Sequence, residues 1–230
     1  QIQRFALLVT LARYDSALVP QPYLASRWDW NSAGDVLTLH LHSSLKWHDG
    51  RPTTARDVVF TIDAARDRAT GYPRYGDLAN IIETRVVDDS TAQLRFSSAP
   101  PGFPPVLAEL PILPSHLLAN VPHADMRRAA YNTNPVGNGP FRFVSWTHGD
   151  HVELAANPKY WKPGVPKAEK VTIRFITELS TRAAALRAGE IHVIDRVSPD
   201  MVQTLKGTAG VKVLDTPAVE AQRWHFQLAR

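Results

Sequence analysis

Leu45-Lys46-Trp47-His48-Asp49-Gly50-Arg51-Pro52-Thr53-Thr54-Ala55-Arg56-Asp57-Val58-Val59-Phe60 is the stretch on which the fold turns. It holds a break followed by a beginning. Asp49-Gly50 is turn chemistry, since aspartate bonds its own backbone and glycine admits left-handed dihedrals. Thr54, with Asp57 three residues on, makes a capping pair and predicts a helix running to about residue 67. Val58, Ile62 and Ala65 then fall at i, i+4 and i+7, a buried stripe.

Outward from this helix the pattern changes to period two. Leu37, Leu39 and Leu41 alternate with Thr38, His40 and His42, which predicts a half-buried strand over 36–42; Ala92, Leu94 and Phe96 repeat the pattern over 91–97. The first part therefore reads as a small antiparallel sheet with one helix. A proline cluster from Pro100 to Pro114 interrupts regular structure. Beyond it, 139–146 and 151–156 read as a hairpin around His148-Gly149-Asp150. Strands over 170–176, 191–197 and 211–214 then alternate with helices over 180–188, stopped by Gly189, and after Ser198-Pro199. That β-α-β rhythm predicts a sheet with helices packed over it. Trp224, Phe226 and Leu228 mark one more strand.

The 230 residues, 44% hydrophobic and 21% charged, belong to a globular class and not to a disordered one. No apolar run is long enough to span a bilayer. Net charge is +4, but the basic residues are scattered among acids, as in Arg66-Asp67-Arg68, so no phosphate-tracking stripe forms and nucleic acid is not expected as a partner. Cysteine is absent, which removes disulfides, thiolate metal sites and a cysteine nucleophile. Gln1 in place of methionine, and an end at Arg230 inside a strand-like run, predict a piece of a longer protein.

Catalytic signatures are missing: there is no G-x-S-x-G, H-E-x-x-H, P-loop or G-x-G-x-x-G. Gly137-Asn138-Gly139 offers two glycines with Pro140 behind them, better suited to a turn entering a strand than to a phosphate loop. His40 and His42 share one face of a strand, with His48 and Asp49 nearby. A metal-dependent hydrolase could be built on such a set; two solvated histidines and a turn are the simpler account. No metal or other cofactor is expected. Tyr72, Tyr75, Trp146, Tyr160, Trp161 and Trp224 sit near turns or strand ends, where they either line a ligand cleft or cap the core.

Several segments in order resemble family 5 of the extracytoplasmic solute-binding proteins, the receptors of peptide and nickel ABC importers. They are Leu24-Ala25-Ser26-Arg27-Trp28, the stretch 45–60, Leu113-Pro114-Ser115-His116-Leu117-Leu118, Asn134-Pro135-Val136-Gly137-Asn138-Gly139-Pro140-Phe141, Asn157-Pro158-Lys159-Tyr160-Trp161 and Ala188-Gly189-Glu190-Ile191. Two positions depart from the family pattern: Asn138 stands in place of threonine, and His192 in place of aspartate.

The resemblance implies an α/β fold: one lobe of a type II periplasmic-binding-protein-like clamp, carrying an inserted small α+β domain, with the second lobe missing. It places 1–22 and 131–230 in the first lobe, a mixed-sheet α/β domain, and 23–130 in the insertion. It implies a binding protein and not an enzyme, one that captures a peptide or similar solute outside the cytoplasmic membrane by hinge closure and delivers it to ABC-transporter permease subunits. A nickel or metal-chelate receptor of the same family is the alternative. The location implied is periplasmic or extracellular, with a lipid anchor on a segment before Gln1 left open. Tyr75, in Arg74-Tyr75-Gly76-Asp77-Leu78, is implied as a ligand contact. So are the backbone groups of Ala218 and Val219 and the carboxylate of Glu220, ahead of Gln227. The loop 109–112 is a weaker third region.

Overall fold

Strands form where apolar and polar residues alternate beside a partner that completes the ladder, and the four-stranded sheet of this protein meets both conditions. In the computed structural model, residues 6–195 and 197–214 are described. They include β1 (Ala12–Tyr14), β2 (Pro20–Pro22), β3 (Ala25–Trp30), β4 (Val36–Leu41), α1 (Ala55–Arg66), β5 (Ile81–Asp88) and β6 (Thr91–Phe96). Further along come α2 (Pro105–Glu109), α3 (Ser115–Leu118), β7 (Phe141–Thr147), β8 (His151–Ala156), β9 (Lys170–Arg174), α4 (Leu179–Arg187) and α5 (Pro199–Lys206). The chain divides into two compact units, Gln1–Arg174 and Phe175–Arg230.

In the first unit β3-β4-β6-β5 form one sheet, β7-β8-β9 a second and β1-β2 a short ribbon. Every described ladder is antiparallel. Leu37 pairs with Leu94 and Leu39 with Ala92, so the predicted alternation becomes one apolar face. All four residues are fully buried, in one cluster with Val58, Ile62 and Ala65 of α1. Each leucine, valine and isoleucine among them contributes roughly 1.5–3 kcal/mol through burial, and each alanine less. Helix α1 starts where the capping pair predicts, with Asp57 Oδ2 accepting the Thr54 N–H at 2.9 Å.

The apolar run Leu7, Leu8, Val9 and Leu11 is not assigned by the sequence reading, yet it is the most buried segment of the unit. Its backbone is held from three directions. Leu7 C=O accepts the N–H groups of Asn138 and Gly139, Val9 C=O that of Ile112, and Leu11 C=O that of Ala25. A continuous apolar run of this length was the available signal for a buried strand-like crossing.

In the second unit α4 and α5 fall where expected, Gly189 closing α4 in the left-handed region at φ +74° and Ser198-Pro199 opening α5. The predicted strands over 191–197 and 211–214 are absent among the described residues. Alternation alone does not make a strand: here Val193 and Leu214 stay exposed and no ladder partner is described for either. The predicted strand over 223–228 lies outside the described residues.

Candidate functional site

Gly137, Asn138 and Gly139 explain the histidine at 48. Gly137 N–H donates to His48 Nδ1 at 3.1 Å, and His48 Nε2–H donates to Gly139 C=O at 3.0 Å. This pairing fixes the neutral Nε2–H tautomer, because Nδ1 must keep its lone pair to accept. Burial holds the His48 imidazolium pKa below its ordinary value, against the opposing pull of the Gly139 carbonyl. Asn138 is wholly buried, and its Oδ1 accepts the Val9 N–H at 2.9 Å. Asn157 Nδ2 reaches the same Gly139 carbonyl at 3.1 Å. A Cβ on Gly137 would lie 1.9 Å from Leu7 O, and one on Gly139 2.5 Å from Ala6 O. Both positions require glycine for this close approach and not for a phosphate.

The three histidines of the hydrolase alternative are not brought together. His40 Nε2 lies 3.2 Å from Asp29 Oδ2, the His42 ring packs 4.5 Å from that of Trp161, and His48 is spent on the glycine loop. Asp49 pairs with His116 at 2.7 Å. Burial pushes the Asp49 carboxyl up, but hydrogen bonds from His116 and the Arg51 N–H outweigh it and hold the pKa below the usual range. No group of three or more carboxylate or imidazole ligands able to hold a metal ion occurs among the described residues.

Asp57 does more than open α1. Its Oδ2 also lies 3.2 Å from Trp47 Nε1, while Oδ1 accepts the Ser115 N–H at 2.9 Å and the Ser115 hydroxyl at 2.6 Å. Four of the segments that carry the family resemblance, 45–60, 113–118, 134–141 and 157–161, thus meet in two hydrogen-bonded centres, around Asp57 and around Asn138, and serve architecture.

Tyr75 stands apart from those centres. It opens a 3-10 turn, Tyr75–Leu78, anchored by the buried Leu78. Arg74 ties this turn to the end of α2: its Nε donates to Asp77 Oδ2 at 2.6 Å and its Nη1 to Glu109 Oε2. Two of the three sequence-derived regions, Tyr75 and Glu109, are therefore joined through one guanidinium. Leu110 and Ile112 of the same loop are core residues, which leaves Glu109 as its polar feature. Tyr14, from β1, shares this environment; burial first and the Glu109 carboxylate second raise its hydroxyl pKa against the Arg74 charge. Sequence reading missed Tyr14, since its partners are some 60 and 95 positions away in the chain and no local spacing encodes them. The Arg68 guanidinium lies 5.2 Å from the centre of the half-buried Tyr75 ring.

Chemically this is one guanidinium bonded to two carboxylates, with phenols beside it. It offers apolar ring faces and hydroxyl donors and acceptors, equipment for holding a solute. A groove of about 490 Å³ exists elsewhere, lined by His48, Asn134, Val136 and Arg142 among others, against the glycine loop. Ala218, Val219 and Glu220 lie outside the described residues.

The same arrangement of sheets and helices occurs in solved solute-binding proteins. The oligopeptide-binding protein AppA of Bacillus subtilis, in complex with a nonapeptide, is 27% identical with a TM-score of 0.83, covering 90% of this chain and 41% of that one. NikZ of Campylobacter jejuni, in complex with Ni(L-His), is 28% identical with a TM-score of 0.79, covering 89% and 40%. The glutathione-binding protein of Pectobacterium atrosepticum is 29% identical over 196 residues, 85% of this chain and 37% of its own. A Brucella ovis protein named for ABC-transporter peptide binding is 33% identical over 171 residues, 74% of this chain and 32% of its own. The chain thus spans about a third of the length of these curated relatives. The family described as bacterial extracellular solute-binding proteins, family 5, middle, matches residues 19–230.

The fold is accordingly that of the type II periplasmic binding proteins. This chain belongs to family 5 of the bacterial extracellular solute-binding proteins, a family of binding proteins and not of enzymes.

Proposed function

We propose that the chain is the N-terminal portion of the substrate-binding component of an ABC importer, and that the whole protein captures a peptide or similar small solute outside the cytoplasmic membrane. The observation that carries this reading is the family match over residues 19–230. The likeness to a peptide-loaded oligopeptide-binding protein supports the same solute class.

In this reading 1–22 and 131–230 belong to one lobe and 23–130 to a small inserted domain. A second lobe, contributed by sequence beyond Arg230, closes on the solute about a hinge. Solute shifts the open–closed equilibrium because it contacts both lobes only in the closed state. Tyr75 supplies a ring face and a hydroxyl to it. Ala218 and Val219 bond the backbone of an extended peptide in the manner of an added strand, and Glu220 meets a cationic group. The closed form docks on permease subunits.

Calorimetry with a peptide ligand on this chain and on the whole protein tests the proposal. Far weaker binding by this chain is expected, and equal affinity would overturn the two-lobe reading. A second reading, a metal-chelate receptor, is favoured by the likeness to the Ni(L-His) complex; nickel–histidine in the same calorimeter separates the two.

A further inference from the structure

One face of the first unit gathers cations without carboxylates. Arg13, from β1, stacks its guanidinium carbon 3.6 Å from the centre of the Tyr23 ring, and its Nη2 donates to the Tyr23 hydroxyl at 2.6 Å. Lys162 Nζ lies 5.1 Å from the same ring centre and 5.0 Å from that of Trp161. The His42 ring packs against Trp161 at 4.5 Å between centres. The Tyr23 and Tyr160 hydroxyls share a hydrogen bond of 2.5 Å.

Among the described residues neither Arg13 nor Lys162 lies within 4.0 Å of a carboxylate oxygen, whereas most other arginines at comparable depth are paired, such as Arg66 with Asp63 and Arg74 with Glu109. Like charges face one another instead. Burial first, and the Arg13 charge second, depress the Lys162 ammonium; burial and Lys162 do the same to His42. Both cations are half-buried, so part of their hydration is already gone and a carboxylate arriving there meets less screening than at an open surface. Tyr23 is buried beneath the two cations, and beside them the half-buried Trp161 ring gives a chain something apolar to cover.

We propose that Arg13 and Lys162, set on the Tyr23–Trp161 aromatic platform, form a docking surface for an acidic polypeptide segment of a partner protein. Two cations spaced around one ring, reached by side chains alone, suit carboxylates strung along a backbone better than a compact phosphate, which calls for convergent N–H groups. The assignment is independent of the solute site and of the transport reading.

The test is calorimetric titration of the intact chain at low ionic strength with acetylated, amidated tetraglutamate and with tetraglutamine. Tetraglutamate is expected to bind and tetraglutamine not, and each of Arg13→Met and Lys162→Met is expected to weaken binding about tenfold, the loss of one charge-assisted contact. Lys162→Glu, confirmed folded by circular dichroism, is expected to abolish it even if Arg13→Met fails to fold. Equal binding of the two peptides, indifference to Lys162→Glu, or full displacement by equimolar inorganic phosphate would overturn the proposal.

Discussion

His48 and Gly137 exchange hydrogen bonds in both directions: Gly137 N–H donates to the His48 ring at Nδ1, 3.1 Å, and the His48 backbone N–H donates to Gly137 C=O at 2.7 Å. Residues 89 positions apart are thereby locked into one loop pair. The side-chain half of the lock works only with a neutral ring, since a protonated Nδ1 cannot accept.

A pH dependence follows from that requirement. The folded-state pKa of His48 lies below its unfolded value, so between the two the unfolded chain binds the extra proton. Stability is fully present above the unfolded value of about 6.5 and falls as pH drops through it. Denaturant midpoints between pH 7.5 and 5.5 should decline, and His48→Gln should flatten most of the slope while lowering stability at pH 7.5. An unchanged slope in the variant would show that the ring is not the titrating group.

Gly137→Ala and Gly139→Ala should be among the most damaging single changes. The added Cβ meets backbone oxygen, which cannot rotate away. The loss is expected to exceed about 4 kcal/mol, the range reserved for gross disruption of packing. Gly149, at φ +78° with open space around it, is the comparison: Gly149→Ala should cost about 1 kcal/mol from backbone strain alone. Thermal melts of the three variants separate steric clash from strain.

Asp57→Asn keeps the shape of the side chain and breaks its chemistry. Four donors converge on two acceptor oxygens. An amide nitrogen in place of Oδ2 confronts the Trp47 and Thr54 N–H groups with another donor, and one in place of Oδ1 does so to the Ser115 N–H, although the Ser115 hydroxyl can turn to accept. Destabilisation of about 3 kcal/mol is expected from buried donors left unsatisfied. Chemical denaturation should register it as a lower midpoint with an unchanged slope.

At the proposed solute contact, Tyr75→Ala in the whole protein should weaken peptide binding about tenfold, or ~1.4 kcal/mol, with unchanged melting temperature. Tyr75→Phe separates ring face from hydroxyl: full retention assigns the contact to the ring. If neither variant changes affinity, Tyr75 is not part of the cleft.

Much of the first unit is legible in the chain because its signals are local. The capping pair Thr54–Asp57, the leucine alternation in β4 and the Ser198-Pro199 start of α5 each act within a few residues, and each element forms where its signal lies. The strand expected over 191–197 had the same kind of pattern and does not form among the described residues, because a strand is completed by a neighbour and no pattern within it supplies one.

By itself the amino-acid sequence determined the family and the positions of most helices and strands, since turn chemistry, caps and periodicity are properties of adjacent residues. Only the tertiary structure decided what the conspicuous residues do. It spent His48, Asn138 and Asp57 on buried hydrogen bonds, separated His40 from His42 in role, and brought Tyr14 to Arg74 and Glu109. A side chain's task is fixed by the atoms across from it, and those come from parts of the chain that no local spacing can announce.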